Sequence, residues 1–144
     1  MLSKITICDD DRDDVYLFKE AASEMNLPAS ITVISDGKML LKQLTRCEDD
    51  NLPQIVFIDL HLHGKTCAEC VSEIMGSDEL KDLPVVILST NYNQKTADYF
   101  YEKGACYFIK KPTSFNTLKK RIQKAINLIS KNSSQPPKEE FYLT

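Results

Sequence analysis

The sequence has no apolar run long enough to cross a bilayer; its longest strongly apolar stretch is Ile55-Val56-Phe57-Ile58. The start, Met1-Leu2-Ser3-Lys4-Ile5, enters a strand-like pattern at once and shows no charged n-region, apolar h-region or cleavage site of a secretory leader. Five cysteines, an odd number, do not make a disulfide framework and fit reduced thiols. A formal net charge of −3, without a dense basic patch, gives no general pull toward nucleic acid. There is no internal repeat beyond strand–helix alternation and no low-complexity tract. A chain of 144 residues has room for one core. Hydrophobic residues at 42% and charged residues at 27% are ordinary for a globular domain. What survives is a single cytoplasmic globular domain without membrane insertion or direct nucleic-acid binding.

What is present is an alternation, five times over, of short apolar runs with amphipathic segments. The strand candidates are Lys4–Cys8, Ser30–Ile34, Gln54–Ile58, Val85–Ser89 and Cys106–Ile109. Three of them are rich in Ile and Val with almost no polar alternation, as strands buried on both faces are. Val15, Phe18, Ala22 and Met25 step by three or four and form one helical stripe. Phe115, Leu118, Ile122, Ile126 and Ile129 do the same later, and Leu40, Leu41 and Leu44 mark a shorter helix after Asp36-Gly37. Parallel neighbours need crossover connections, so this order predicts a parallel sheet wrapped by helices. Right-handed crossovers make a doubly wound α/β sheet the economical topology. After Lys131 the pattern stops: Asn132-Ser133-Ser134-Gln135-Pro136-Pro137-Lys138-Glu139-Glu140 reads as a flexible tail. Phe141-Tyr142-Leu143-Thr144 is more apolar than a solvated tail needs and could dock back on the domain or onto a partner, but an unstructured end is the expectation. The predicted division is therefore a domain over 1–131 and a tail over 132–144.

Ligands of open parallel sheets bind at the carboxyl ends of the strands. Here the first strand ends in Asp9-Asp10-Asp11, the third in Asp59, the fourth in Ser89-Thr90, and the fifth in Lys110-Lys111-Pro112. Carboxylates packed together repel, so a hard divalent cation such as Mg2+ is their natural partner. A carboxylate can act as a nucleophile toward phosphorus, with a metal and an ammonium stabilising the transferring oxygens. The cluster makes phosphoryl chemistry plausible without separating a phosphate acceptor from a phosphatase.

The segments Cys8-Asp9-Asp10-Asp11, Ile55-Val56-Phe57-Ile58-Asp59-Leu60, Leu83-Pro84-Val85-Val86-Ile87-Leu88-Ser89-Thr90 and Gly104-Ala105-Cys106-Tyr107-Phe108-Ile109-Lys110-Lys111-Pro112 resemble the successive signatures of CheY-like response-regulator receivers. They stand in family order and spacing, over roughly residues 4 to 131. The resemblance implies a flavodoxin-like (βα)5 fold with a five-stranded sheet of order 2-1-3-4-5. It makes Asp59 the phosphoacceptor and a metal ligand, Asp10 a direct Mg2+ ligand, and Asp9 a ligand through water. The backbone carbonyl of His61 becomes the remaining protein ligand. Ser89 takes the switch-hydroxyl position, Lys111 that of the lysine contacting the phosphoryl group, and Phe108 that of the aromatic switch. The Lys111–Pro112 bond is expected to be cis. The implied partners are a sensor histidine kinase or a histidine phosphotransfer protein, and an unknown downstream protein. The implied output surface comprises the fourth helix, fifth strand and fifth helix, which could also support a homodimer. Catalysis would be limited to the chain's own phosphorylation and dephosphorylation.

The sequence departs from the family pattern after the acceptor. His61-Leu62-His63-Gly64-Lys65-Thr66-Cys67 lacks the usual proline, and Cys67 replaces a glycine. His61 and Asn91 hold variable places that border the phosphoryl group. Asp13-Asp14 could extend the acidic edge, but we read them as the acids that a helix N-terminus favours in any case. The loop histidines His61 and His63 flank Leu62 beside an acid and raise a transition-metal site, to which Cys67 and Cys70 add a lone C-x-x-C, but we read the cysteines as structural or incidental rather than zinc-binding or redox-active. Lys119-Lys120-Arg121 and Lys124 read as a solvated helix face, while Tyr99, Phe100 and Tyr101 divide between core and interface. Two rival readings stand beside the receiver. One is a small Mg2+-dependent phosphatase or phosphotransferase of another fold. The other is a degenerate receiver that serves only as an interaction module.

Overall fold

The computed structural model describes residues 3–26, 29–48 and 51–144. Strands and helices alternate as β1 (Lys4–Cys8), α1 (Arg12–Glu24), β2 (Ser30–Ile34), α2 (Gly37–Arg46), β3 (Ile55–Asp59) and α3 (Cys67–Met75). They continue as β4 (Val85–Ser89), α4 (Gln94–Glu102), β5 (Tyr107–Lys110) and α5 (Phe115–Lys131). A 3₁₀ turn at Lys138–Glu140 then leads into a short strand, β6 (Tyr142–Leu143). The sheet is parallel throughout, in the order β2-β1-β3-β4-β5-β6. This is the doubly wound, flavodoxin-like arrangement.

The periodicity of each element explains its place. Every residue of β3 and β4 is buried, so their unbroken apolar runs lie between two layers of helices. One core lies on the side of α2, α3 and α4, where Leu40, Leu44, Val71, Ile74, Ala97 and Phe100 meet Val56, Ile58 and Ile87. The other lies beneath α1 and α5, where Phe18, Leu118, Ile122 and Ile126 meet Ile7, Phe57 and Leu88. Helix starts are fixed by side chains that accept otherwise unpaired backbone N–H groups. Asp11 accepts from Asp13 and Asp14, and Thr66 and Glu69 form a reciprocal capping box. Gly104 adopts φ +105°, a conformation that favours glycine, as the chain turns from α4 toward β5.

Two strand registers move by one residue from the sequence expectation. β3 runs 55–59 and β5 runs 107–110. Asp59 is therefore the last paired residue of β3, opposite Leu88, rather than the first residue beyond it.

The flexible tail expected over 132–144 is corrected by the structure. Phe141 and Leu143 are 3% exposed, and Tyr142 and Leu143 pair with Phe108 and Ile109. The sheet thus has six strands instead of five. The physical reason is an open edge: β5 presents unpaired backbone groups, and the Phe108 N–H donates to the Phe141 carbonyl at 3.0 Å. The tail is anchored before that point by the Tyr101 hydroxyl, which donates to the Pro136 carbonyl at 2.8 Å. The Gln135 amide donates to the carbonyls of Tyr101 and Ala105.

Phe57 is fully buried under the site and meets Phe18 edge-on, with ring centroids 4.9 Å apart. Phe57→Ala is expected to cost about 3–5 kcal/mol of unfolding free energy. Urea denaturation checks this; a loss below about 1 kcal/mol would mean that the two helical layers do not close over β3 as described.

Candidate functional site

Strand order in the sheet reverses at β1, because the chain places β2 on one side of it and β3 on the other. The crevice at such a switch point opens at the carboxyl ends of these strands. Asp9 and Asp10 follow β1, Asp59 closes β3, and Ser89 closes β4. Carboxylate oxygens of Asp9, Asp10 and Asp59 all lie within 4.8 Å of one another. Lys111, one residue past β5, brings an ammonium to the same edge, and its backbone N–H donates to the Ser89 carbonyl at 2.6 Å. Its Nζ lies 2.9 Å from Asp9 Oδ2, 2.8 Å from Asp14 Oδ2 and 3.4 Å from Asp59 Oδ1.

The remaining polar contacts fix the orientation of the acids. Asp9 Oδ1 accepts from the Asp11 N–H at 3.0 Å, and Asp59 Oδ1 accepts from the His61 N–H at 3.3 Å. Asp10 Oδ2 accepts from the His63 N–H at 3.2 Å and also meets the His63 ring nitrogen Nδ1. The Ser89 side chain is fully buried, and its Oγ accepts from the Asn91 N–H at 3.2 Å.

Burial sets the electrostatics. Desolvation pushes the Asp9 carboxyl from 3.8 up to about 6. The Asp11 N–H and the Lys111 ammonium oppose that rise, and the neighbouring Asp59 adds to it. Burial draws the Lys111 ammonium down, but hydrogen bonds to Asp14 and Asp9, with the charges of Asp9 and Asp59, hold it above the ordinary lysine value. The His63 ring, hydrogen-bonded to Asp10, lowers the Asp10 pKa, and Asp10 in turn raises that of His63.

All seven site residues expected from the sequence fall near this edge or directly behind it. Asp9, Asp10, Asp59 and Lys111 form one cluster. Ser89 borders it through its backbone contact with Lys111, and His61 borders it through Asp59. Phe108 lies one strand away on β5 and is fully buried. Two further participants were missed. Asp14, for which the sequence favours a helix-start role over an extension of the acidic edge, accepts from Lys111 across 97 residues of chain. His63 was read as one of a pair of loop histidines, yet it holds Asp10. Nothing local in the sequence marks either contact, since each depends on which strand ends meet.

The cis Lys111–Pro112 bond is corrected too: no cis peptide occurs among the described residues. Cys67 and Cys70 are buried in the first turn of α3, and desolvation first of all pushes both thiols upward, Cys70 to about 11. Among the described residues the group with metal-ligand spacing is Asp9, Asp10 and Asp59, without a cysteine. This all-oxygen donor set fits a hard divalent cation, and the adjacent nucleophilic carboxylate fits transfer of a phosphoryl group.

Comparison with known proteins agrees with that chemistry. The model of the response regulator receiver domain family matches residues 5–123. Response regulator Rcp1 of Synechocystis sp. is 26% identical over 122 residues, covering 83% of each chain. The crystal structure of the phosphorylated cyanobacterial phytochrome response regulator RcpA superposes with a TM-score of 0.79 at 26% identity, covering 95% of this chain and 99% of that one. The fold is shared as well by the Mn2+-bound form of Rcp1, with a TM-score of 0.79 at 23% identity, covering 93% of this chain and 99% of that one.

The Asp9 shift carries a definite sign for stability. Its folded-state pKa is raised, so its contribution favours the folded chain at low pH and is lost as pH rises from about 3.8 through about 6. Without metal, Asp9→Asn is expected to stabilise the chain near neutral pH by on the order of 2–3 kcal/mol and to change little near pH 4. Thermal melts at the two pH values test this; a lower melting temperature for the variant at neutral pH would refute it.

Proposed function

The chain belongs to the response regulator receiver family, and from that premise we propose that Asp59 accepts a phosphoryl group with Mg2+ held beside it by Asp9, Asp10 and the His61 carbonyl. Receiver domains of two-component response regulators interact with histidine kinases or histidine phosphotransfer proteins, and the donor proposed here is a phosphohistidine on such a partner in the cytoplasm. The observation that carries the reading is the convergence of Asp9, Asp10 and Asp59 within 4.8 Å, with the Lys111 ammonium 3.4 Å from Asp59.

The step is a phosphoryl transfer between two side chains. An Asp59 carboxylate oxygen attacks phosphorus, the P–N bond breaks, and its electron pair stays on the partner's imidazole nitrogen, which takes up a proton. Most of the catalysis in such transfers is positioning and charge stabilisation. The His61 N–H at Asp59 Oδ1 orients the nucleophile. Lys111, already held among carboxylates, exchanges one of them for a phosphoryl oxygen without leaving the site. Bound Mg2+ supplies further neutralisation of the phosphoryl oxygens. The family binds divalent metal, and Mg2+ is our choice because it favours oxygen ligands and keeps waters in an open site.

Asp59 is modified once per cycle, so the chemistry is self-modification rather than turnover of a free ester. In this reading the Ser89 hydroxyl, at the end of β4 beside β3, turns from the Asn91 N–H to donate to the new phosphoryl oxygens. Ser89 and Phe108 then serve as the switch pair, coupling the site to the face formed by α4, β5 and α5. That face is our candidate for contact with a downstream protein or a second copy of the chain.

Incubation with acetyl phosphate and Mg2+ should add one phosphoryl group per chain, detected by intact mass. Asp59→Asn is expected to abolish it, and Lys111→Ala to reduce its rate by at least about tenfold, a loss of about 1.4 kcal/mol in transition-state stabilisation. Undiminished labelling of Asp59→Asn would refute the assignment.

A further inference from the structure

The docked C-terminal segment touches the same elements that the switch pair uses. Asn91, whose N–H binds Ser89 Oγ, is followed directly by Tyr92. The Tyr92 ring stacks on Tyr142 with centroids 3.9 Å apart and planes 24° apart. It also meets Phe108 edge-on at 6.0 Å. Phe108 in turn lies 6.4 Å from Phe141 and 6.2 Å from Tyr142, and its backbone N–H donates to the Phe141 carbonyl. Three residues after the Ser89 hydroxyl, the loop therefore rests on the last strand of the chain.

A stacked aromatic pair is sensitive to lateral displacement, because its contact area and quadrupole alignment both depend on offset. In the unphosphorylated chain the Asn91 N–H bond ties the position of the loop to that of the Ser89 hydroxyl. Turning the hydroxyl toward a phosphoryl oxygen on Asp59 either drags Asn91 along or breaks that bond. If Asn91 is dragged, Tyr92 leaves the plane in which it packs on Tyr142; if the bond breaks, the loop loses the tie that holds Tyr92 in that plane. We propose that residues 135–143 form a strap on α4 and β5 that is coupled through the Tyr92–Tyr142 stack to Ser89, so that phosphorylation of Asp59 loosens the strap and strap docking opposes phosphorylation. The reciprocity is a thermodynamic necessity, since one coupling free energy acts in both directions. Loosening would free the β5 edge, where the Phe108 N–H loses its acceptor and can pair with an incoming strand.

The inference rests on the receiver reading above, and the test separates the two. In the full-length chain, amide exchange at Phe108 is followed with and without beryllofluoride and Mg2+, a stable stand-in for the phosphoryl group. Exchange at Phe108 is expected to speed up by at least about fivefold, the lower end of ordinary allosteric coupling, and to stay unchanged in Asp59→Asn. Full-length Tyr142→Ala, which keeps the chain length and removes the stack, is expected to bind beryllofluoride at least about fivefold more tightly. Unchanged or slower exchange in a chain that binds beryllofluoride at Asp59 would overturn the coupling alone. Equal or weaker binding by Tyr142→Ala would do the same. Absence of beryllofluoride binding and of acetyl phosphate labelling would overturn the receiver reading, and the strap coupling with it.

Discussion

The Lys111 ammonium lies within 3.4 Å of Asp9, Asp14 and Asp59, and the arrangement of the sheet edge depends on that contact. Asp9 and Asp59 are buried, and buried like charges at such distances repel far more strongly than they would in water. A cation supplied by the chain offsets the repulsion in a state without metal. It can do so because β5 ends beside β4, and the Lys111 N–H donates to the Ser89 carbonyl. One backbone hydrogen bond thus fixes where the positive charge stands. The elevated Asp9 pKa shows that compensation is incomplete, because desolvation still outweighs the ammonium and the Asp11 N–H. The strand ends thus hold both signs of charge in place.

The concentration of chemistry at this edge follows from the composition of the strands. β3 and β4 are buried along their whole length, and polar side chains within them would need partners inside an apolar layer. The exceptions stand at the strand ends. Asp59 is the last residue of β3 and Ser89 the last of β4, and each is buried yet hydrogen-bonded to a backbone N–H two residues later. The same local turn geometry serves both. It orients the Asp59 carboxylate in one case and ties the Ser89 hydroxyl to the following loop in the other.

What was legible in the sequence had short-range causes. Unbroken Ile and Val runs specified strands buried on two faces, and three-and-four spacing specified the stripes of α1, α2 and α5. The acids were found because strand ends are where an open parallel sheet binds ligands. Asp14 and His63 escaped because their partners are set by topology. A carboxylate in the first turn of a helix has a sufficient local reason to be there, and that reason hid the second one. The tail escaped for a different cause. Two prolines and a polar stretch argued correctly against a helix, but they do not prevent a short edge strand after them. Phe141 and Leu143 were the signal, since alternate apolar residues at a chain end suit one face of a strand.

That strand changes what the α4–β5–α5 face can offer. An exposed parallel edge on β5 would be a template for other chains, and the protein covers it with its own last residues. Tyr101 was balanced between core and interface on sequence grounds. It turns out to serve the tail, with its hydroxyl on the Pro136 carbonyl and its ring against Phe141. Phe100 went to the core, and Tyr99 remains outside at 42% exposure. A partner that approaches this face therefore meets a surface made jointly by α4 and the C-terminal segment. Phe108 lies beneath that surface, fully buried, with the stacked pair of Tyr92 and Tyr142 packed against it. Any movement of its ring must displace residues that a five-stranded domain would not possess. Phe108 and residues 141–143 consequently share one packing problem, and neither can be rearranged at no cost to the other.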